Sequence, residues 1–225
     1  MLGSETKTPD ILKGINSSLL KNINYKFLLF GNEKEIKDNL NKYSNLRQSI
    51  EIINCDEHVG MNDKPSDVIK KKGKSSMSLA IDSFKNKESD AVLSFGNTGA
   101  LMSFSLLNIK TLTSIKRPAI ASIWPNKNGD SVVLDLGANT KLDTRYLIDN
   151  AILGSSLASI LFKIDNPSIG LLNVGKEDIK GKEEIKNASE ILLNLSKQKI
   201  LNYQGYVEGN DISIGHERKG ILLYG

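Results

Sequence analysis

The sequence predicts an α/β fold with a largely parallel sheet, and three observations lead to this prediction. Strand-like and helix-like segments alternate along the chain, as they do where parallel strands are joined by helical crossovers. Three apolar runs, DAVLSF, SVVLDL and SIGLL, have the composition of buried strands. Each run is followed by a loop of small residues and asparagines, at residues 96–99 (GNTG), 137–139 (GAN) and 173–175 (NVG).

The three loops are the first candidates for a functional site. Ligands of open α/β sheets bind beyond the carboxyl ends of the strands, so these loops are predicted to build one site. Glycine lets the backbone approach a ligand closely, and the helix after each loop can offer free N–H groups to an anion. The pattern therefore favours an anionic ligand.

The first half of the chain contains two further strand-like segments. Residues 25–31 (YKFLLFG) form an apolar run closed by a glycine, and residues 49–56 (SIEIINCD) alternate apolar and polar side chains. The charged segment 32–43 between them has helical character. Residues 64–89 are predicted to be helical with a break at Gly73, and TGALMSFSLLNI is the predicted helix after the DAVLSF strand.

The second half repeats the alternation. Residues 131–136 are the next predicted strand, and residues 141–162 form a long predicted helix with an apolar stripe. Strand 168–174, helix 178–197 and strand 202–209 follow. No internal repeat or low-complexity linker divides the chain.

Composition excludes several classes of function. The net charge of +4 over 225 residues is too small to indicate nucleic-acid binding. The single cysteine, Cys55, cannot form an intramolecular disulfide, which favours a cytoplasmic protein. The two histidines, His58 and His216, cannot form a metal cluster with one cysteine, and no carboxylate spacing requires a metal.

Both ends of the chain differ from what a complete α/β sheet requires. The chain begins as a loop rather than a strand, and it ends on the short apolar segment 216–225 with no helix after it. A sheet that ends on an uncovered strand exposes apolar surface and an unpaired edge. We therefore expect residues 1–225 to form a single α/β domain that is truncated at both ends.

Six motifs, in one order, resemble the phosphate acyltransferases of fatty-acid and phospholipid synthesis (the PlsX type). The most characteristic stretch is SDAVLSFGNTGALMS at residues 89–103. The others are residues 58–77 (HVGMNDKPSDVIKKKGKSSM), 116–125 (KRPAIASIWP), 132–139 (VVLDLGAN), 166–188 (NPSIGLLNVGKEDIKGKEEIKNA) and 202–212 (NYQGYVEGNDI). The resemblance covers nearly the whole chain.

The resemblance implies a three-layer α/β/α sandwich similar to the isopropylmalate dehydrogenase-like fold, and a homodimer. The implied reaction moves a fatty acyl group from acyl carrier protein to inorganic phosphate and gives an acyl phosphate for phospholipid synthesis. No cofactor is implied, because the substrates supply the phosphopantetheine. A cytoplasmic location follows, and peripheral association with the inner face of the membrane stays open.

The first loop is the predicted site for phosphate or for the oxyanion of the reaction. Thr98, Gly96 and Gly99 are predicted to bind substrate through backbone N–H groups and a hydroxyl, and Asn97 is a predicted catalytic residue. The alternative is a tight turn in which Asn97 and Thr98 only cap a helix.

Asp135 and Asn139 are predicted substrate-binding residues in the second loop. Asp135 lies inside an apolar strand, where an unpaired carboxylate is costly, so it must meet a partner or line the site. The alternative for Asp135 is a structural pair with Arg117 or Arg145. The alternative for Asn139 is a helix N-cap.

The third loop contributes Asn173 and Gly175 as predicted substrate-binding residues. The resemblance further implies that Lys180, in a Lys-Gly motif, is the catalytic cation that neutralises phosphate and the developing oxyanion. The alternative is a solvated lysine, because lysine is abundant in this chain.

Four lysines form the densest basic cluster, and an acidic carrier protein could dock on them. They are Lys70, Lys71, Lys72 and Lys74. The alternative is a solvated helix end.

Two other functions stay open. One is a phosphotransacetylase-like enzyme that uses coenzyme A thioesters. The other is a non-catalytic remnant that binds carrier protein or a partner.

Overall fold

The computed structural model describes residues 3, 5–21, 24–71, 73–139, 141–175, 181–214 and 220–223. The chain divides into two compact units, Met1–Lys110 and Thr111–Gly225. Both units combine helices with strands that are mostly parallel, which confirms the predicted α/β class. Each unit is described separately below, and a single domain over the whole chain stays a prediction.

The first unit contains a two-stranded parallel sheet and, among its described residues, five α-helices. In chain order the elements are α1 (Thr8–Leu19), β1 (Phe27–Gly31), α2 (Glu33–Leu40), β2 (Ile50–Asn54), α3 (Pro65–Lys71), α4 (Ser76–Lys85) and α5 (Thr98–Asn108). All of these except α1 follow the predicted segments closely.

Helix α1 packs on the two-stranded sheet through one apolar stripe. Ile11, Leu12 and Ile15 are buried and join Leu29 of β1 and Ile36 of α2 in one apolar cluster. These spacings place the side chains on one face of the helix, and their burial orders the segment before β1.

The predicted strand 90–95 is wrong in this structure. Residues 91–95 form no strand and pair with no strand in the described part of the chain. Leu93 is 79% exposed and Phe95 46% exposed, whereas Val92 packs against a buried cluster that includes Ile81 and Phe104. Apolar composition alone therefore did not decide the strand, because a strand also needs a neighbour with free backbone groups.

The second unit is built on a five-stranded sheet. Its elements are β3 (Ser122–Asn126), β4 (Gly129–Leu134), α6 (Thr144–Phe162), β5 (Ser168–Leu172), α7 (Glu183–Lys197), β6 (Asn202–Val207), α8 (Gly209–Ile214) and β7 (Gly220–Leu223). Strand β3 and helix α8 were not predicted, and β7 lies in the segment predicted to end the chain as an uncovered strand.

The strand order is β3-β4-β7-β5-β6, and all neighbouring pairs except β3–β4 are parallel. The carboxyl ends of β4 and β5 therefore lie at the same edge of the sheet, as predicted for the second and third loops. Strand β7 pairs with β4 on one side and with β5 on the other. The predicted unpaired edge at the end of the chain is thus wrong, because this strand inserts into the middle of the sheet.

Alternating side chains cover the two faces of this sheet with separate apolar layers. Val132 and Leu134 of β4 pack with α6 and α7 in the larger cluster. Val133, between them, packs on the opposite face with Val207 and with Ile212 of α8. The unit therefore has helices on both faces of its sheet, the arrangement expected of a three-layer α/β/α protein.

A bulge in β6 shifts the alternation of its side chains. Ile169 pairs with Tyr203, but Gly170 pairs with Gly205, so Gln204 is an extra residue on β6. Gly205 adopts a φ of 102°, a conformation that favours glycine. A Cβ on Gly170 would lie 2.6 Å from Cγ1 of Val207, so the close approach of Val207 leaves room only for glycine.

Candidate functional site

Asn97 holds the start of α5 against a distant turn. It is the N-cap residue, and its Oδ1 accepts from the N–H of Ala100 at 3.0 Å. Its Nδ2 donates to the carbonyl oxygens of Gly60, Met61 and Asp63 at 3.2, 2.9 and 3.0 Å. The side chain is 8% exposed. In this structure Asn97 therefore caps and positions the loop through contacts within the protein.

Two backbone N–H groups are unpaired at the start of α5. Thr98 is exposed, Gly99 is half-buried, and their N–H groups meet no acceptor among the described residues. The N–H of Gly96 instead donates to Oγ of Ser94 at 3.2 Å. Thr98 and Gly99 thus supply two free donors at the positive end of α5, the combination that attracts an anion.

Asp135 is the centre of the second loop. Its Oδ1 accepts from the N–H groups of Ile120 and Ala138 at 2.9 and 3.0 Å. Its Oδ2 accepts from the N–H and from Nδ2 of Asn139 at 2.9 and 2.8 Å. Asp135 is 8% exposed, and four donors compensate the burial of its carboxylate. Gly137, with a φ of 92°, allows the chain to turn around it.

The arginine alternative for Asp135 is wrong. Arg145 instead bonds Asp149, with Nε 3.0 Å from Oδ1, and its Nη2 donates to the carbonyl of Ser114. The guanidinium of Arg117 lies 5.8 Å from the ring centroid of Tyr146. Backbone N–H groups, rather than an arginine, bond the carboxylate of Asp135.

Asn139 is held in a fixed orientation by Asp135. Its Nδ2 donates to Asp135 and to the carbonyl of Pro118 at 3.1 Å. Its Oδ1 is buried and accepts no hydrogen bond in the described part of the chain. The N-cap of α6 is Asp143, not Asn139, so the capping alternative for Asn139 is wrong.

A cavity of about 550 Å³ opens beside this loop in the second unit. The lining combines apolar and aromatic side chains with amides, two lysines and two carboxylates. Its residues are Trp124, Val133, Asp135, Leu136, Gly137, Asn139, Lys141, Leu142, Asp143, Tyr146, Leu147, Asn150, Lys182 and Ile212. The cavity therefore includes the two predicted residues of the second loop, Asp135 and Asn139.

Sequence reasoning missed Asn150, which lines the cavity and is 4% exposed. The signal was present in the sequence. Asn150 lies between Leu147 and Ala151 in the buried stripe of α6, where the other buried positions are apolar or small except Asp149, which bonds Arg145. Trp124 is 45% exposed and lines the same cavity.

The third loop follows β5, and Asn173 is 7% exposed. Its Oδ1 accepts from the N–H of Val174 at 2.9 Å, and its own N–H donates to the carbonyl of Val207. Gly175 is buried. Gly181 lies against Asn173 so closely that a Cβ would be 2.2 Å from Oδ1. Lys180 lies outside the described residues.

The predicted docking lysines are only partly described. Lys70, on α3, and Lys74 are exposed, as a docking surface requires. Lys71 ends α3, and its side chain lies outside the description, as does the whole of Lys72.

Other reactive groups are few in the described part of the chain. No three histidine, cysteine, aspartate or glutamate side chains there lie close enough to hold a metal ion. Burial raises the pKa of the Cys55 thiol, which disfavours the thiolate that a nucleophile needs. None of the helices described above has both the length and the apolar character needed to span a bilayer.

Comparison with known proteins identifies the family. A family model described as "Fatty acid synthesis protein" matches residues 1–221. The chain belongs to this family. This member of the fatty acid synthesis protein family is 43% identical over 215 residues to a phosphate acyltransferase of Xanthobacter autotrophicus, and 44% identical over 215 residues to one of Azorhizobium caulinodans. The resemblance inferred from the six motifs is thereby confirmed.

The aligned region covers nearly all of this chain but a smaller share of each relative. It includes 95% of this family member but 60% of each of those two relatives, so the chain spans about three fifths of their length. Among solved structures, the EutD phosphotransacetylase of Staphylococcus aureus matches with a TM-score of 0.61 at 16% identity, covering 96% of this chain and 74% of that one. A phosphotransacetylase of Streptococcus pyogenes gives 0.59 at 17% identity, covering 86% and 68%. These likenesses support the α/β fold.

Proposed function

We propose that this chain carries out the transfer of a fatty acyl group from acyl carrier protein to inorganic phosphate. The observation that supports this most is the identity of 42–44% over 95–96% of the chain with relatives named phosphate acyltransferase. The product, an acyl phosphate, would supply an acylation step of phospholipid synthesis.

The proposed reaction requires little covalent machinery. A phosphate oxygen attacks the thioester carbonyl carbon and forms a tetrahedral intermediate with a negatively charged oxygen. The carbon–sulfur bond then breaks, and the thiolate of the carrier leaves and takes up a proton. The protein has to hold phosphate against the carbonyl and stabilise negative charge, and both tasks suit fixed N–H groups and a lysine.

We assign anion binding in the first unit to the free N–H groups of Thr98 and Gly99. Both lie in the first turn of α5, where the helix dipole adds to their attraction for phosphate. Asn97 acts as a positioning residue in this proposal, because its amide is already bonded to one N–H and three carbonyl oxygens.

In the second unit we assign substrate contact to Asn139 and positioning to Asp135. Asp135 fixes Asn139 through its N–H and its Nδ2, while the Oδ1 of Asn139 has no donor in the described part of the chain. Asn173 and Gly175 remain proposed substrate contacts of the third loop.

The function is tested by incubating the chain with acyl carrier protein loaded with a fatty acyl group and with inorganic phosphate. Acyl phosphate, trapped as its hydroxamate, is expected only when both substrates are present. A parallel reaction replaces the carrier protein with an acyl coenzyme A. Product from coenzyme A thioesters alone would contradict the proposal in favour of a phosphotransacetylase. Loss of thioester without phosphate dependence would contradict both.

Lys180→Ala is expected to lower phosphate-dependent turnover by at least about tenfold, because the cation that offsets phosphate and oxyanion charge is lost. The measurement is kcat/KM for phosphate in the assay above, with far-UV circular dichroism to show an unchanged fold. Lys197→Ala, an exposed lysine of α7, is the matched control. Unchanged turnover in the Lys180 variant would remove this residue from the mechanism.

Charge reversal of the docking lysines should raise the KM for carrier protein by about fivefold at low salt, since association of an acidic protein with a basic patch is steered electrostatically. The variant carries glutamate at Lys70, Lys71, Lys72 and Lys74. The control carries glutamate at four scattered exposed lysines, Lys13, Lys34, Lys42 and Lys85. The difference between the variants should shrink as salt rises. Equal KM values would exclude this docking surface.

We further propose a homodimer in the cytoplasm with peripheral membrane association, on the basis of the family resemblance. Sedimentation analysis tests the dimer, and flotation with vesicles of anionic phospholipid tests the association. A monomer at micromolar concentration, or no flotation, would contradict the respective proposal.

A further inference from the structure

Asn150 occupies a position at which the local sequence pattern calls for an apolar side chain. The inward face of α6 includes Leu147, Ala151 and Ala158, and all three belong to the larger apolar cluster. Asn150 lies on this face and is 4% exposed, but its amide has no hydrogen-bond partner among the described residues. Unlike the Oδ1 of Asn139, the amide of Asn150 is not sealed from solvent, so its unpaired groups are available at the surface of the cavity that it lines.

The side chain lines the cavity of about 550 Å³ described above. This volume falls within the roughly 300–1,000 Å³ that is typical of small-molecule sites. Asn150 gives the cavity an amide that a ligand can pair with, whereas the unpaired Oδ1 of Asn139 is sealed from solvent behind the lining. Trp124 and Tyr146 supply flat apolar surface in the same lining.

The charges on the lining favour an anionic group. Lys141 and Lys182 are exposed and free to turn towards a ligand. The two carboxylates are already engaged, because Asp135 accepts four hydrogen bonds and Asp143 accepts from the N–H of Arg145 as the cap of α6. The cavity thus offers the amide of Asn150, an aromatic wall and two lysines to one occupant.

We propose that this cavity binds the phosphopantetheine arm of the thioester substrate, with Asn150 pairing an amide of the arm and the two lysines meeting its phosphate. Such an arm contains two amides linked by short apolar segments and ends in a phosphate, which matches the lining. A fatty acyl chain would leave Asn150 without a partner, and inorganic phosphate would leave the aromatic wall unused. This inference rests on the proposed function and adds the place where the donor substrate is held.

The test uses Trp124, the only tryptophan of the chain, as a fluorescence probe in the cavity wall. Titration of the 225-residue chain with 4′-phosphopantetheine is expected to change its emission saturably. Asn150→Leu, which keeps the size but removes the amide, should raise the Kd by at least about tenfold. The control Asn194→Leu, at an exposed position of α7, should leave the Kd unchanged.

A merely structural role of Asn150 predicts a different result. If Asn150 serves binding, the leucine variant should melt at the same temperature as the parent or higher, because an unpaired amide has been removed from an apolar stripe. A large fall in melting temperature together with an unchanged Kd would overturn the inference. An equal fluorescence response to inorganic phosphate alone would also overturn it, since the amide contacts would then play no part.

Further experiments distinguish the molecules that can supply the phosphopantetheine arm. They also separate this inference from the proposed function. Holo carrier protein and coenzyme A both carry phosphopantetheine, and the proposed function expects tighter binding of the carrier protein. Binding of 4′-phosphopantetheine with loss in Asn150→Leu would support the cavity assignment even if no acyl phosphate forms. Acyl-phosphate formation without any Trp124 response or Asn150 effect would overturn the assignment and leave the proposed function intact.

Discussion

Replacing Asp135 by asparagine is expected to lower the free energy of unfolding of the second unit by about 2–4 kcal/mol. The carboxylate accepts from three backbone N–H groups and from Nδ2 of Asn139. Asparagine has nearly the same shape, but its amide nitrogen must face two of these donors. At least one buried pair of donors therefore loses its acceptor.

Urea denaturation followed by circular dichroism measures this loss. Asp143→Asn is the matched control, because in the described part of the chain Asp143 accepts one hydrogen bond, from the N–H of Arg145, and asparagine is as good an N-cap as aspartate. The control should change the free energy of unfolding by less than about 0.5 kcal/mol. Equal effects of the two substitutions would show that the loop does not depend on the four-donor arrangement. Asp135→Asn should also weaken ligand binding at the cavity, since Asn139 is no longer held in place.

Asn97→Asp is expected to destabilise the first unit by about 3 kcal/mol or more, because a carboxylate oxygen would replace a donor that faces three carbonyl oxygens. These carbonyls belong to Gly60, Met61 and Asp63. The capping bond to Ala100 could persist in the variant, so the effect isolates the amide group from the cap.

Asn32→Asp provides the control for this experiment. Asn32 caps α2 through one bond to the N–H of Glu35, and aspartate serves equally well at an N-cap. Its change in unfolding free energy should stay within about 0.5 kcal/mol. Susceptibility to proteolysis after residue 61 should rise only in the Asn97 variant, because the turn at residues 60–63 is released. An Asn97→Asp variant as stable as the parent would show that the amide does not hold the turn and is available to contact substrate.

Sequence reasoning succeeded where the signal was local. The capping role of Asn97 follows from its position before a helix, and Gly73 correctly marked the break between α3 and α4. Burial of Asp135 inside an apolar run also correctly required a partner. The nature of the partner was wrong because backbone N–H groups brought round by Gly137 leave no mark in composition.

Failures concern groups that are distant along the chain. The three carbonyls that hold Asn97 lie more than thirty residues before it, and no periodicity connects them. Strand β7 was interpreted as an uncovered tail, since its place between β4 and β5 depends on pairing with strands far away in sequence. The strand prediction for DAVLSF was wrong because it also depended on distant groups. Its apolar residues predicted a strand, but no strand in the described part of the chain pairs with it.

The bulge in β6 also determines which deletions the second unit can tolerate. Tyr203 and Tyr206 face the same helical layer although they are three positions apart, because Gln204 adds one residue to the strand. Removing Gln204 would restore strict alternation and leave Val207 opposite Leu172, on the face that it shares with Val133 and Ile212. An alignment gap at this position therefore preserves the inner and outer surfaces of the last strand segment, whereas the loss of one paired residue of the strand would exchange them.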